Sequence, residues 1–152
     1  MSRAQPAEDP DCSLCAQDGG RVLWRNALLR VIAVEDPDYP GFLRVVCNAH
    51  AREMTDLDAA TRAALLTVVL AAEEAVRAAL APDKINLASL GNVVPHVHWH
   101  VIARNRADAH FPNPIWGVRL RDPDPALLQR QRAMLPGLEA RLVRALDALA
   151  PG

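Results

Sequence analysis

The chain has 152 residues, of which 51% are hydrophobic, enough for one domain with a sizeable core and inconsistent with disorder. Seventeen basic against eighteen acidic side chains leave a formal net charge of -1 with both signs mixed along the chain, so nothing suggests a long-range field for nucleic acid or an anionic membrane, and any anion must be held locally. Lys84 is the only lysine, which argues against a Schiff-base enzyme. No apolar run reaches membrane-spanning length, and Met1–Asp11 lacks the charged-then-apolar order of a signal peptide, so a cytoplasmic location is expected.

In chain order, residues 1–11 read as a flexible arm, after which Cys12-Ser13-Leu14-Cys15 and Gly19-Gly20 form a knuckle and a turn. Val22–Trp24 and Leu28–Val34 alternate or run apolar around a turn at Arg25-Asn26, which predicts a hairpin. Residues 35–41 are loop by composition, and Phe42–Cys47 is the next strand. From Thr55 the apolar period becomes helical: Thr55 or Asp56 is placed to cap a helix that continues to Leu80 and ends at Pro82. Lys84–Leu90, a turn at Gly91-Asn92 and Val94–Ala103 predict a second hairpin. Residues 110–116 hold two prolines and read as loop, and Pro125–Leu149 is helical with a break or kink at Pro136-Gly137. Strands, helix, strands, helix is the order of the α+β class, an antiparallel sheet with a long helix packed on it and an additional C-terminal helix.

Two constellations carry chemistry. Three of the five histidines, His96, His98 and His100, alternate with Val97, Trp99 and Val101, so in an extended chain the imidazoles share one face and core residues back them. Such a row suits metal binding or phosphorus chemistry, and mutual repulsion keeps at least one imidazole neutral and nucleophilic. A cupin-like barrel using the row as ligands needs many short glycine-punctuated strands, against which stand only seven glycines and two long helical stretches. Cys12-x-x-Cys15 is a redox or a metal pair. The redox form follows a strand in a βαβ context, whereas here an eleven-residue segment rich in polar residues and proline precedes it, so zinc is the better reading and needs two further ligands, with His50 and His96 as candidates. Cys47, alone in an apolar run, reads as core.

His-x-His-x-His-x-x with apolar residues at every x resembles the histidine triad (HIT) family of nucleotide hydrolases and transferases, in its CxxC-containing, diadenosine tetraphosphate hydrolase-like form. The similarity extends to strand Phe42–Cys47 leading into Asn48-Ala49-His50, the helix after Thr55-Asp56-Leu57, and the hairpin from Asn86 to Arg104. It implies a HIT-like domain over 12–116, with 117–152 a C-terminal helical extension packed on the same domain. It implies His98 as the nucleophile toward the α-phosphorus of a dinucleoside polyphosphate or nucleotide phosphoramidate, forming a nucleotidyl-histidine, with His100 and His96 as the supporting members of the triad. It further implies Asn86 and Asn92 near the phosphates, Glu35 or Asp36 on the ribose hydroxyls, and a structural zinc on Cys12, Cys15, His50 and His96. The partners it implies are an adenine nucleotide and a second copy of the chain in a homodimer, with no nucleic acid and no membrane. The sequence departs from the pattern at Val93, where the family commonly has a serine or threonine that can assist the leaving group, and at Ala103, where proline is frequent. The alternative is a nucleotide-binding, zinc-stabilised interaction module with weak or no catalysis.

Overall fold

A computed structural model of the chain describes residues 8–149, so the arm expected over residues 1–11 lies for the most part outside the described residues. A single turn of helix α1 (Ser13–Ala16) precedes strands β1 (Arg21–Arg25), β2 (Leu29–Ala33) and β3 (Leu43–Cys47). Helix α2 (Ala59–Leu80), strands β4 (Lys84–Ala88) and β5 (His98–Arg104), and helix α3 (Pro125–Asp147) follow. The five strands form one sheet in the order β1-β2-β3-β5-β4, every neighbouring pair antiparallel. Helix α2 carries the chain from β3 to the edge strand β4, and β5 returns into the gap between them. This is the α+β architecture expected from the sequence.

Strand alternation divides the sheet into two chemically different faces. Leu29, Val31, Leu43, Val45, Cys47, Val101 and Ala103 are buried on one face, in one cluster with Leu65, Val68, Val69 and Val76 of α2 and Leu138, Leu142 and Leu146 of α3. Truncating a fully buried leucine such as Leu65 or Leu142 to alanine costs about 2–5 kcal/mol in such a core. The leucine stripe of α3 therefore covers this chain's own α2. The side chain of Trp24 on β1 also donates to Asp147 at 3.0 Å.

Four local expectations are corrected. The α2 cap is Asp58, whose carboxylate accepts from Thr61 N at 2.7 Å, and neither Thr55 nor Asp56. The reason is that Glu53 and Asp56 cap their own short 3-10 turn, Met54–Asp56, reciprocally. Of the break or kink expected at Pro136-Gly137, the break does not form: helix α3, capped by Asp124 with Pro125 in its first turn, is continuous through the exposed Pro136, and burial of Leu138, Leu142 and Leu146 holds the following turns. The β1–β2 turn falls after Arg25, closed by the Asn26 side chain, which accepts from Leu28 N and Leu29 N at 2.9 and 2.8 Å. Strand β4 stops at Ala88 and β5 starts only at His98. Between them the chain turns at Gly91 (φ +82°), and Val97 bonds to the end of β3 and the segment after it, donating to Ala51 O at 2.8 Å and accepting from Cys47 N at 3.2 Å. Among the described residues no helix is long and apolar enough to cross a membrane.

Candidate active site

The face of the sheet away from the helices is polar at its centre. Alternation along β5 puts His98 and His100 there, and the β3 register sets Arg44 opposite His100 and Val46 opposite His98. Above them opens a cleft of about 560 Å³, walled by Leu14 and Gln17 of the N-terminal segment, by the Leu90–Val94 turn and by Trp116. Among the described residues no carboxylate lines it.

Hydrogen bonds assign the protons on both imidazoles. His98 Nδ1 lies 2.5 Å from the His96 carbonyl, which can only accept, so Nδ1 carries the proton and Nε2 keeps its lone pair. His100 is the reverse: its Nδ1 accepts from Arg44 Nε at 3.3 Å, which leaves the proton on Nε2. The two rings meet edge to face, centroids 5.0 Å apart, and Trp116 braces His100 at 4.8 Å. Burial disfavours the charged form of each: it lowers the pKa of His98, and it takes His100 down to about 4 with help from His98 and Arg44. Both rings are therefore neutral at pH 7.

His96, expected in the same row, stands outside β5 and turns toward the N-terminal segment. Its Nε2 donates to the Cys47 carbonyl at 2.6 Å, which frees Nδ1 as a ligand. Around that nitrogen gather Cys12 Sγ at 3.4 Å, Cys15 Sγ at 3.6 Å and His50 Nδ1 at 3.2 Å, and Cys15 Sγ is 3.3 Å from His50 Nδ1. All four donor atoms lie within 4.8 Å of one another. A tetrahedral ion with ordinary bond lengths requires N to N edges of about 3.3 Å and S to N edges of about 3.6 Å, so the four residues could hold a metal with little rearrangement. Cys12 caps α1 and Cys15 lies one turn later, which brings both sulfurs to one side. Arg30, 4% exposed, ties this segment to β2 by donating to Leu14 O at 2.7 Å and Asp18 O at 3.0 Å. Cys47 takes no part. Burial pushes its thiol up to about 11, in keeping with a core residue.

The remaining candidates divide. Asn92 and Val93 line the cleft, Val93 being 93% exposed. Asn86 sits on β4 opposite Ile102, its oxygen accepting from Arg104 Nη1 at 2.7 Å, and it does not line the cleft. Glu35 and Asp36 are not brought to His98: they line a separate cavity of about 510 Å³ against Arg132 and Leu135 of α3, because the β2–β3 loop turns toward that helix. Sequence patterns do not single out Arg44. A charged residue interrupting the apolar run from Leu43 to Cys47 was the available signal, but only the strand register shows that it faces His100. His110 and Phe111 anchor their loop through Asp108, which accepts from both backbone nitrogens, and it is Trp116 of that loop that reaches the cleft.

The model of the HIT domain matches residues 17–107. The chain belongs to the HIT domain family. A histidine triad protein from Bradyrhizobium japonicum is similar to it in structure, with 31% identity, a TM-score of 0.67, and coverage of 84% of this chain and 91% of its own. Another from Marinobacter aquaeolei is 28% identical with a TM-score of 0.67, covering 90% of this chain and 95% of its own. A Zn-bound histidine triad family protein from Mycobacterium smegmatis, 24% identical with a TM-score of 0.57 and coverage of 86% and 96%, shares the fold. No curated protein matches the chain. Membership places the chain in a family of nucleotide-binding hydrolases and transferases.

Proposed function

We propose that this HIT protein is a nucleotide phosphohydrolase or nucleotidyl transferase that attacks the α-phosphate of a dinucleoside polyphosphate or nucleotide phosphoramidate through His98. The observation that carries this reading is the His98 tautomer: the His96 carbonyl holds the Nδ1 proton, so the unprotonated Nε2 of a neutral imidazole is the atom available for attack. In the first step the Nε2–P bond forms and the bond from phosphorus to the leaving group breaks, the leaving group departing with the electron pair, as a nucleotide polyphosphate anion or, from a phosphoramidate, as ammonia after taking up a proton from solvent. The ring becomes a cationic nucleotidyl-imidazolium, and the Nδ1–H to carbonyl bond strengthens as that charge develops. His100 presents Nε2–H to a non-bridging oxygen of the same phosphate. Water or another acceptor then attacks phosphorus, the P–Nε2 bond breaks, and the acceptor's proton is released, which restores the starting tautomer.

Asn92 at the cleft wall is the proposed polar contact to the phosphates, and Asn86, which lies outside the cleft, has no role in this reading beyond holding Arg104 through its oxygen. Glu35 and Asp36 have no role in this reading. Zinc is the proposed occupant of Cys12, Cys15, His50 and His96, supported by the donor spacing and by the Zn-bound relative of the same fold. Four protein ligands leave no open position, so the ion would be structural, pinning the N-terminal segment and His96 beside His98. The family resemblance adds an adenine nucleotide as substrate and a homodimer.

Val93 favours a second reading, a nucleotide-binding module with little catalysis, because a fully exposed valine at the cleft supplies no hydroxyl to the leaving group. Steady-state turnover and equilibrium nucleotide binding of wild type and His98→Ala separate the two. The catalytic reading expects loss of turnover in the variant with binding largely kept, and turnover retained by the variant overturns it. Wild type that binds nucleotide yet turns over neither substrate class supports the module.

A further inference from the structure

We propose that Arg44 is a specificity-determining residue that binds an anionic group of the substrate beyond the reacting phosphate, so that the chain prefers a polyphosphate to a phosphoramidate. This rests on the reading that His98 attacks a nucleotide phosphate, and it selects between the two leaving-group classes that reading allows.

Arg44 stands on β3 directly across from His100 and lines the cleft. Its Nε is engaged by His100 Nδ1, and the Phe42 ring lies under its guanidinium carbon at 5.5 Å. Among the described residues no carboxylate pairs with it, and none lines the cleft. The two other arginines on this face are differently placed. Arg104 is clasped by Asp108, with Nε to Oδ2 at 2.8 Å, and Arg30 is satisfied by backbone carbonyls of the N-terminal segment. Arg44 is half-buried, and burial alone pushes its pKa down, with no neighbouring acid to offset it. A partly desolvated guanidinium with its fork open to a cleft is a site for an anion, and its planar donors match phosphate oxygens two at a time.

The chemistry of its neighbour divides the labour. His100 is neutral and offers one N–H, which suits the reacting phosphate, while Arg44 offers a full charge one strand away. A polyphosphate leaving group carries negative charge that this fork can hold. The amine of a phosphoramidate carries none.

The test compares kcat/KM for diadenosine tetraphosphate and adenosine 5′-phosphoramidate in wild type, Arg44→Gln and Arg44→Lys. Glutamine retains a donor for His100 Nδ1 but no charge, and lysine retains the charge. Activity on both substrates falls in Arg44→Gln, but the tetraphosphate falls about 10- to 100-fold further, the effect expected for one charge-assisted contact, and Arg44→Lys keeps most of the preference. An unchanged substrate ratio in Arg44→Gln overturns the proposal and leaves Arg44 as a residue that only positions His100. A second arm needs no turnover: calorimetric titration with ATP and AMP in magnesium-free buffer. Wild type binds ATP at least about 10-fold more tightly than AMP and Arg44→Gln loses that difference; wild type without an ATP preference overturns the proposal. An Arg44-dependent ATP preference in a protein that turns over neither substrate contradicts the His98 reading and leaves Arg44 as an anion-binding residue of the cleft, without the substrate selectivity.

Discussion

Asp108→Ala removes the acceptor on which the 105–121 loop is built. Asp108 is 3% exposed and Arg104 2%. Oδ2 accepts from Arg104 Nε at 2.8 Å and Asn105 N at 3.0 Å, and Oδ1 accepts from Arg104 Nη2 at 3.1 Å, His110 N at 3.0 Å, Phe111 N at 2.7 Å and the Tyr39 hydroxyl at 3.2 Å. Breaking one half of a buried pair costs about 3–5 kcal/mol. Arg104 keeps Asn86 Oδ1 and Asn113 O, each at 2.7 Å, which points to the lower end of that range, about 3 kcal/mol, or about 6–12 °C in Tm for a domain of this size. Burial raises the Asp108 pKa, but hydrogen bonds from Arg104 and from the Asn105, His110 and Phe111 nitrogens outweigh it and hold the carboxyl below its ordinary 3.8. A carboxylate with a depressed folded-state pKa stabilises fully above the unfolded value and loses that contribution as pH falls through the folded one. The gap between wild type and variant is therefore constant from neutral pH down to the ordinary carboxylate range and closes below it. Urea denaturation followed by circular dichroism at several pH values reads both numbers. A loss under about 1 kcal/mol at pH 7, the size of an exposed pair, or a gap that widens on acidification, would refute the reasoning.

Because burial lowers the pKa of both His98 and His100, kcat/KM holds level from pH 8 to 6.5 and declines only below the ordinary histidine value of 6.5; a pH–rate profile with its acid limb at or above 6.5 contradicts the assignment. Replacing Cys12 and Cys15 by serine removes bound zinc, measured by plasma mass spectrometry, and lowers Tm, whereas Cys47→Ser leaves the metal content intact; full zinc in the double variant contradicts the ligand set. Gly41→Ala lowers Tm, since φ there is +79° and a Cβ would meet Leu80 Cδ1 at 2.7 Å and Leu138 Cδ2 at 3.2 Å; a variant as stable as wild type shows that the loop relaxes freely.

The α+β order and the helix-facing side of the sheet were legible because period-2 and period-3.6 apolar patterns are local properties of the chain. The CxxC with His50 and His96 was legible as a donor set, although the sequence alone puts His96 in the same strand as His98. What took it out was the bonding of Val97 to Ala51, a contact between segments distant in sequence that no periodicity encodes. Local rules do not single out the cap at Asp58 because Thr55, Asp56 and Asp58 each satisfy them, and only the 3-10 turn decides among the three. The local rule for proline predicts a break or kink at Pro136 because it carries no information about Leu138, Leu142 and Leu146 holding the helix on α2. Arg44 and Trp116 required pairing register and loop path, and Glu35 and Asp36 lie by a different cavity for the same reason: a loop's direction is set by what it packs on.

The measurement closest to the central claim is intact-protein mass spectrometry of wild type and His98→Ala, quenched without acid shortly after mixing with diadenosine tetraphosphate or adenosine 5′-phosphoramidate, followed by peptide mapping. One added nucleotidyl group is expected on wild type, located on His98 and absent from the variant, together with released AMP. Turnover without any adduct, or an adduct on a residue other than His98, would contradict it.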